Sequence, residues 1–334
     1  MKRILYISNY RKGIGGISTQ VDLLRPYLLQ EGYSVSIFST KGNPLKRIWL
    51  FLKLLYVVRQ YNVLHIHGCS EWGMLPVAYG VIAGKIWRKR IIVTYHGGEA
   101  AEYFARHEAF ARRWLKRADK VIVLNGYLEK VFEEYQIPCM VIPNIVPLRE
   151  DVYQPKKSIA PQMISVRHLT DLYRIDLIIR AFAKMREKYP EATLDILGQG
   201  DKRAELERLV VSDERLAGRV RFIGQVPNEK MYDYLKANDI MLSAPKIDNM
   251  PVSVMEAMNA GVLVISSNVG GVPYMIEHQK TGLLFDGDAE ALAEQILWAL
   301  EHQKESVAMI EAAHEEVKKY SWNNIRMQIL PIYE

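Results

Sequence analysis

The stretch Asp248-Asn249-Met250-Pro251-Val252-Ser253-Val254-Met255-Glu256-Ala257-Met258-Asn259-Ala260-Gly261 sets one carboxylate just ahead of a helix and a second on that helix's first two turns. Proline suits a helix start and glycine a helix end, as Pro251 and Gly261 stand here. Two anionic acceptors and the N–H groups of a helix N-terminus therefore share one neighbourhood. Carboxylates accept hydrogen bonds from vicinal sugar hydroxyls, and unpaired helix N–H groups face a phosphate. The stretch reads as a sugar–nucleotide site. Helix-capping acids would account for Asp248, but not for Glu256 set among Val254, Met255 and Ala257.

Outward from this stretch, short apolar runs alternate with segments of helical period. Residues 4–7, 34–38, 63–66, 91–94, 121–124 and 140–142 read as strands. Residues 144–162, with Pro147, Pro155, Pro161 and Lys156-Lys157, read as a linker. The alternation restarts with strands at 163–166, 193–197, 220–223, 240–243 and 262–266. Such a pattern predicts an α/β protein of two doubly wound, Rossmann-like domains, residues 1–150 and 151–320, facing a central cleft. A final helix is expected over 321–334.

At 334 residues the chain can build two full cores. Its 49% hydrophobic and 25% charged residues are ordinary for a soluble globular protein. A net charge of +6 points to an acidic partner, yet is small for a nucleic-acid binder of this size. Cys69 and Cys139 form neither a disulfide framework nor a metal-ligand spacing, which fits a reducing compartment. The apolar run after Lys2-Arg3 stops at Ser8-Asn9, so it reads as a first strand and not as a signal peptide. No uninterrupted apolar run approaches the roughly 20 residues that cross a bilayer.

Several strand ends carry candidate chemistry. Gly13-Ile14-Gly15-Gly16-Ile17-Ser18 follows the first strand, where glycines let backbone amides approach a ligand. It lacks the spacing G-x-G-x-x-G, and a plain strand-to-helix turn explains it equally well. His96, in Thr94-Tyr95-His96-Gly97-Gly98-Glu99, sits at a strand's carboxyl end, either capping a turn or facing a site. His65 and His67 alternate on one strand and so share a face. Arg167 follows the strand at 163–166, where a guanidinium can fork onto a diphosphate. Gly198, in Ile196-Leu197-Gly198-Gln199-Gly200-Asp201, and Val226, in Phe222-Ile223-Gly224-Gln225-Val226-Pro227, lie in βα turns.

Taken together these segments resemble the family 4 glycosyltransferases, retaining enzymes of the GT-B fold. The stretch at 248–256 is similar to that family's E-x7-E motif with Asp248 as its first acid. The glycine loop, the Thr94–Glu99 segment, Val166-Arg167-His168-Leu169, Ser267-Asn268-Val269-Gly270-Gly271-Val272-Pro273 and Thr281-Gly282-Leu283-Leu284-Phe285 follow in the family's order. The resemblance implies that Glu256 holds the donor's ribose, Asp248 its sugar, and Arg167 its diphosphate. Asn249, Met250, Pro251 and Ser253 would line the sugar and phosphate. It places His96 beside the reacting centre, and Gly15 and Gly16 against the donor's phosphates or the acceptor. Gly198 and Val226 would form the floor and rim of the nucleotide pocket. The final helix would cross back onto the first domain. The family pairs its arginine with a lysine about six positions on, but here Tyr173 and Arg174 stand in that place. Arg174 is then either the second cation or a solvated residue at a helix start.

The implied reaction is transfer of a hexose-type sugar from a UDP- or GDP-type donor to a membrane-associated glycan or lipid in polysaccharide or glycolipid synthesis. The expectation includes no cofactor and no metal, on the reading that the chain holds no Asp-x-Asp and no His/Cys/acid cluster. The alternative is a nucleotide-sugar-binding scaffold with weakened chemistry. A dehydrogenase would need a ribose-binding acid after the second strand, and Phe38-Ser39-Thr40 supplies none. On the acceptor side, residues 32–70 carry Lys41, Lys46, Arg47, Lys53 and Arg59 but no acid. The apolar helix expected at 45–58 is either a core helix with a basic side or an element drawn to anionic lipid. With Ile86-Trp87-Arg88-Lys89-Arg90 and Arg112-Arg113-Trp114-Leu115-Lys116-Arg117 it suggests a cytoplasmic protein, peripheral on the inner face of a membrane.

Overall fold

The computed structural model describes residues 2–12 and 15–334, so Gly13 and Ile14 of the glycine loop lie outside the described residues. The chain forms two compact units: residues up to Pro147 joined by Tyr320–Glu334, and Leu148–Lys319.

The first unit is built on a parallel six-stranded sheet. Its strands are β1 (Arg3–Ser8), β2 (Ser34–Ser39), β3 (Val63–Gly68), β4 (Arg90–Tyr95), β5 (Lys120–Val123) and β6 (Met140–Val141), in the spatial order β2-β1-β3-β4-β5-β6. Every residue of β3 is buried, and so is all of β1 after Arg3. Burial on both faces is what a parallel sheet covered by helices requires, and it is why these strands read as unbroken apolar runs. The helix Trp322–Ile329 and the turn Leu330–Tyr333 pack into the same core, where Trp322, Ile325, Ile329 and Tyr333 meet Ile4, Leu28 and Ile92.

The second unit repeats the architecture with β7 (Gln162–Val166), β8 (Thr193–Leu197), β9 (Val220–Gly224), β10 (Ile240–Ser243), β11 (Leu263–Ser267) and β12 (Leu283–Phe285). Their order is β12-β11-β10-β7-β8-β9, all parallel. The winding reverses between β7 and β10. In an open α/β sheet ligands bind outside the carboxyl ends of the strands at that reversal. The strand β12, only three residues long, is absent from the strands expected above. It pairs in parallel with β11 from Ile265 to Ser267.

Candidate functional site

The reversal point of the second sheet brings together Arg167 and Asp248, two of the residues that the sequence singled out. Arg167 leaves the end of β7, and the segment carrying Asp248 leaves the end of β10. The Arg167 guanidinium lies 3.2 Å from the Asp248 carboxylate and donates to Ser243 Oγ at 3.0 Å and 3.3 Å. Its outer face rests on the Tyr173 ring, 5.3 Å from the centroid. Only 8% of the Arg167 side chain and 20% of the Asp248 side chain are exposed, so the pair is shielded from water. A half-desolvated ion pair of this kind holds its geometry because separating the charges is costly.

Two loops brace this pair. Gly198 has φ +133°, and a side chain there would meet the Arg167 carbonyl at 1.9 Å, so only glycine lets the β8 loop close on the β7 loop. Likewise Gly270, at φ +54°, abuts the Asp248 carbonyl, and Gly271 N–H donates to that carbonyl at 2.9 Å. The segment Ser267–Pro273 is thereby a wall of the site. Val226 is half-buried in the turn between β9 and the helix Asn228–Lys236.

The helix expected after Asp248 runs Val252–Ala260, with Pro251 as its N-cap and Gly261 as a left-handed C-cap at φ 74°. No side chain caps its N-terminus. Its first N–H groups and the buried Ser253 Oγ, which has no hydrogen-bond partner among the described residues, are therefore available to an incoming hydrogen-bond acceptor. Met250 and Pro251 are buried beside it. Asp248 meanwhile turns its other oxygen to Asn249 N–H at 2.8 Å. Glu256 is half-buried on this helix, and burial pushes its carboxyl up to about 7. A carboxylate held so far from its usual range is poised to accept from neutral donors such as hydroxyls.

Arg174 is engaged through its guanidinium by main-chain carbonyls in this geometry. It occupies a left-handed conformation, φ 44° and ψ 49°, at the N-cap of the helix Ile175–Met185. Its guanidinium donates to the carbonyls of Ala244 at 2.8 Å, Gly287 at 3.3 Å and Pro245 at 3.4 Å. Three main-chain acceptors make it a clamp on the loop after β10. The structure adds that role to the two readings given above, a phosphate-binding cation and a solvated helix-start residue. Tyr173 stands at the sixth position after Arg167, where its ring backs the guanidinium.

The expectation of no Asp-x-Asp is corrected by Asp286-Gly287-Asp288, which has that pattern of metal-dependent sites. Here Asp288 caps the helix Ala289–Glu301 by accepting from Glu290 N–H and Ala291 N–H, and Asp286 accepts from Asn268. Among the described residues no group of three or more His, Cys, Asp or Glu is placed to hold a metal ion.

In the first unit, Gly15 and Gly16 open the helix Gly16–Gln30, and among the described residues nothing lies within 4 Å of where a side chain on either would begin. His96 follows β4, its N–H bonded to the Gly68 carbonyl at 2.8 Å and its Nε2 lying 2.9 Å from His67 Nδ1. Burial pulls His96 down to about 4 and His65 to about 3, and His67 well below its usual range. All three rings are neutral at physiological pH.

Residues 150–316 match the model described as Glycosyl transferases group 1, and residues 40–150 match that of Glycosyltransferase Family 4. The chain belongs to the family 4 glycosyltransferases. Over 178 residues, 51% of this chain and 42% of the relative, this glycosyltransferase is 31% identical to the amylovoran biosynthesis glycosyltransferase AmsK of Erwinia amylovora. It therefore spans less than half the length of that relative. It is 24% identical to the N-acetyl-alpha-D-glucosaminyl L-malate synthase of Bacillus anthracis, covering 90% of this chain and 82% of that one. Its fold is that of Anabaena Alr3699/HepE, crystallised with UDP and glucose (TM-score 0.79, 19% identity, 99% of both chains). The sucrose-phosphate synthase of Thermosynechococcus elongatus is equally similar (TM-score 0.78, 22% identity, 100% of this chain and 98% of that one). These two likenesses establish the GT-B architecture.

Proposed function

We propose that this glycosyltransferase moves a sugar from a nucleoside diphosphate of the UDP or GDP type to a hydroxyl of a membrane-associated glycan or lipid, with retention at the anomeric carbon. The shielded Arg167–Asp248 pair beside an uncapped helix N-terminus, at the reversal point of the second sheet, carries this reading. A diphosphate meets Arg167 and the helix N–H groups, the donor's ribose meets Glu256, and the transferred sugar meets Asp248. Names among the relatives, from amylovoran biosynthesis to phosphatidylinositol N-acetylglucosaminyltransferase, support a glycan or lipid acceptor.

In the proposed step the bond from the anomeric carbon to the diphosphate oxygen breaks while the acceptor oxygen bonds to the same face. The acceptor's proton passes to the departing phosphate. Arg167 and the helix Val252–Ala260 stabilise the charge that gathers on that phosphate, a contribution of about 3 kcal/mol per well-placed donor group in comparable sites. His96 carries the role at the reacting centre that the family resemblance gives it. Neither a cofactor nor a metal is required, and transfer persists in chelator.

The membrane half of the reading rests on the helix Pro44–Val57. It buries Leu50 and Leu54 and turns Leu45, Ile48, Trp49, Leu52 and Tyr56 outward, each more than half exposed. Cations flank the aromatic rings, with Lys53 over Trp49, Arg47 over Trp72, and Arg59 over Tyr56 and Trp87. Outward apolar and aromatic side chains ringed by cations suit the interface of an anionic bilayer. No helix among the described residues is long and apolar enough to cross one.

A scaffold with weakened chemistry is the second reading, favoured by Tyr173 in the lysine's place and by the commitment of Arg174 to carbonyls. Incubation of the purified chain with labelled nucleotide sugars and membrane lipid extracts decides between them. Transfer of label with retained anomeric configuration supports the enzyme, whereas donor binding without transfer supports the scaffold.

A further inference from the structure

Beneath His96 lies a buried set of rings that the proposed reaction leaves without a role. His67 Nδ1 is 2.9 Å from His96 Nε2, and the His67 ring stacks on His65 at 4.4 Å. His65 is itself pinned at both nitrogens, Nδ1 at 2.7 Å from Tyr333 Oη and Nε2 at 2.7 Å from Thr94 Oγ1. Tyr333 Oη also meets Tyr6 Oη at 3.2 Å, and the Tyr6 ring packs edge-on against both His65 and His67. Tyr6, His65 and Tyr333 are fully buried and His67 is 2% exposed. A cavity of about 20 Å³, room for one water molecule, is lined by His65, His67, Thr94 and His96. His67 Nε2 is buried with no hydrogen-bond partner among the described residues.

Two neutral imidazoles joined by one hydrogen bond share a single proton between the bonded nitrogens. If His67 Nδ1 donates, His96 carries its proton on Nδ1; if His67 accepts, His96 carries it on Nε2. The tautomers of His96 and His67 are therefore coupled through this bond. His67 is held by its stack on His65, and His65 is held by Thr94 and by Tyr333, which lies 268 residues away in the chain. A ligand-facing histidine is ordinarily oriented by whatever its other nitrogen bonds.

We propose that His67 is a positioning residue for His96, setting its tautomer and ring orientation, with His65 and Tyr333 as the frame that holds His67 in place. The proposal rests on the reading of His96 as a residue at the reacting centre.

The test uses the full chain labelled with ¹⁵N-histidine, together with turnover of UDP-glucose or GDP-mannose read as nucleoside diphosphate released. In the wild type the His96 side chain shows one tautomer. His67→Ala is expected to give mixed His96 tautomers and a kcat lower by about 10- to 100-fold, with KM for the donor within about twofold. His67→Asn, whose side-chain amide reaches the place of Nδ1, recovers most of kcat, and His67→Gln does not. Tyr333→Phe, which removes one hydroxyl and keeps the packing, gives a smaller effect in the same direction.

An unchanged His96 tautomer and a kcat within about twofold in folded His67→Ala overturn the proposal, as does a His67→Asn protein no faster than His67→Gln. His96→Ala turning over at the wild-type rate, while His67→Ala still scrambles the His96 tautomer, overturns only the catalytic reading of His96. The coupling of the two rings is then upheld.

Discussion

Arg167 and Asp248 meet at 3.2 Å across the reversal point of the second sheet, each delivered by the strand that flanks it. Arg167 comes from the first strand of the unit and Asp248 from the loop after the fourth, so the pair ties together the two loops where the winding changes sense. Both charges are largely shielded, which keeps the Coulombic attraction strong and makes the loss of either partner expensive.

Arg167→Lys is expected to fold and to lose transfer. Lysine can reach Asp248 but offers a point charge where the guanidinium forks between Ser243 and Asp248 over Tyr173. The expected fall in kcat is about 100-fold, read by single-turnover kinetics with saturating donor. Arg167→Ala should also lower the unfolding free energy by about 3 kcal/mol, because it leaves Asp248 shielded and unpaired.

Glu256→Gln should raise stability without ligand and lower affinity for the donor. The folded carboxyl titrates near 7 because it is buried, above its ordinary value of 4.5. Ionising it therefore costs folding free energy. That cost is absent below pH 4.5, grows as pH rises through 7, and is complete above it. Denaturant titrations at pH 4.5 and pH 8 should show a gain for Glu256→Gln of roughly 1–3 kcal/mol at the higher pH only. Equal gains at both pH values would show that ionisation is not the source.

Arg174→Ala should cost stability and spare chemistry. The substitution removes three bonds to the carbonyls of Ala244, Pro245 and Gly287, but leaves the left-handed backbone at φ 44° to a residue that favours it little. Arg174→Gly relieves that backbone while losing the same bonds. Thermal unfolding should therefore rank wild type above Arg174→Gly and Arg174→Gly above Arg174→Ala, the latter two differing by about 1 kcal/mol. Donor affinity within about threefold of wild type, near 0.6 kcal/mol, accompanies both. A 100-fold loss of kcat with normal stability would instead assign Arg174 to the phosphate.

Replacing Trp49 and Leu52 by Ser should abolish binding to anionic vesicles and leave the fold intact, since both side chains point outward. Cosedimentation with phosphatidylserine vesicles at low salt is the measurement. Binding by the wild type should weaken as salt rises, because part of the attraction is electrostatic. Retained binding in the double variant would shift the contact to another face.

Much of the candidate site's local framework in the second unit is legible in the sequence because its parts are local. The helix after Pro251 and its glycine stop are written within ten residues, and Glu256 stands out as an acid in an apolar run. The strands were legible too, since parallel strands buried on both faces read as continuous apolar runs. β12 was not, because three residues carry too little pattern. The role of Arg174 was hidden for a different reason. Its carbonyl partners lie 70, 71 and 113 residues away, and its helical-start context gives no sign of them. Period-two spacing put His65 and His67 on one face, as found, but no local pattern could announce Tyr333 as their support. In the helix Pro44–Val57 apolar residues run almost all the way round, so the sequence could not say that five of them face outward.

The central claim is that the second unit holds a nucleotide sugar between Arg167, Asp248 and Glu256. Thermal unfolding with UDP-, GDP- and ADP-sugars, run in parallel on the wild type and Glu256→Ala, tests it most directly. The account predicts that one nucleotide class raises the wild-type midpoint by several degrees, the effect of ligand at about 100 times its Kd, and that Glu256→Ala loses the rise. A well-folded protein that no donor stabilises, or a rise of equal size in Glu256→Ala, would contradict it.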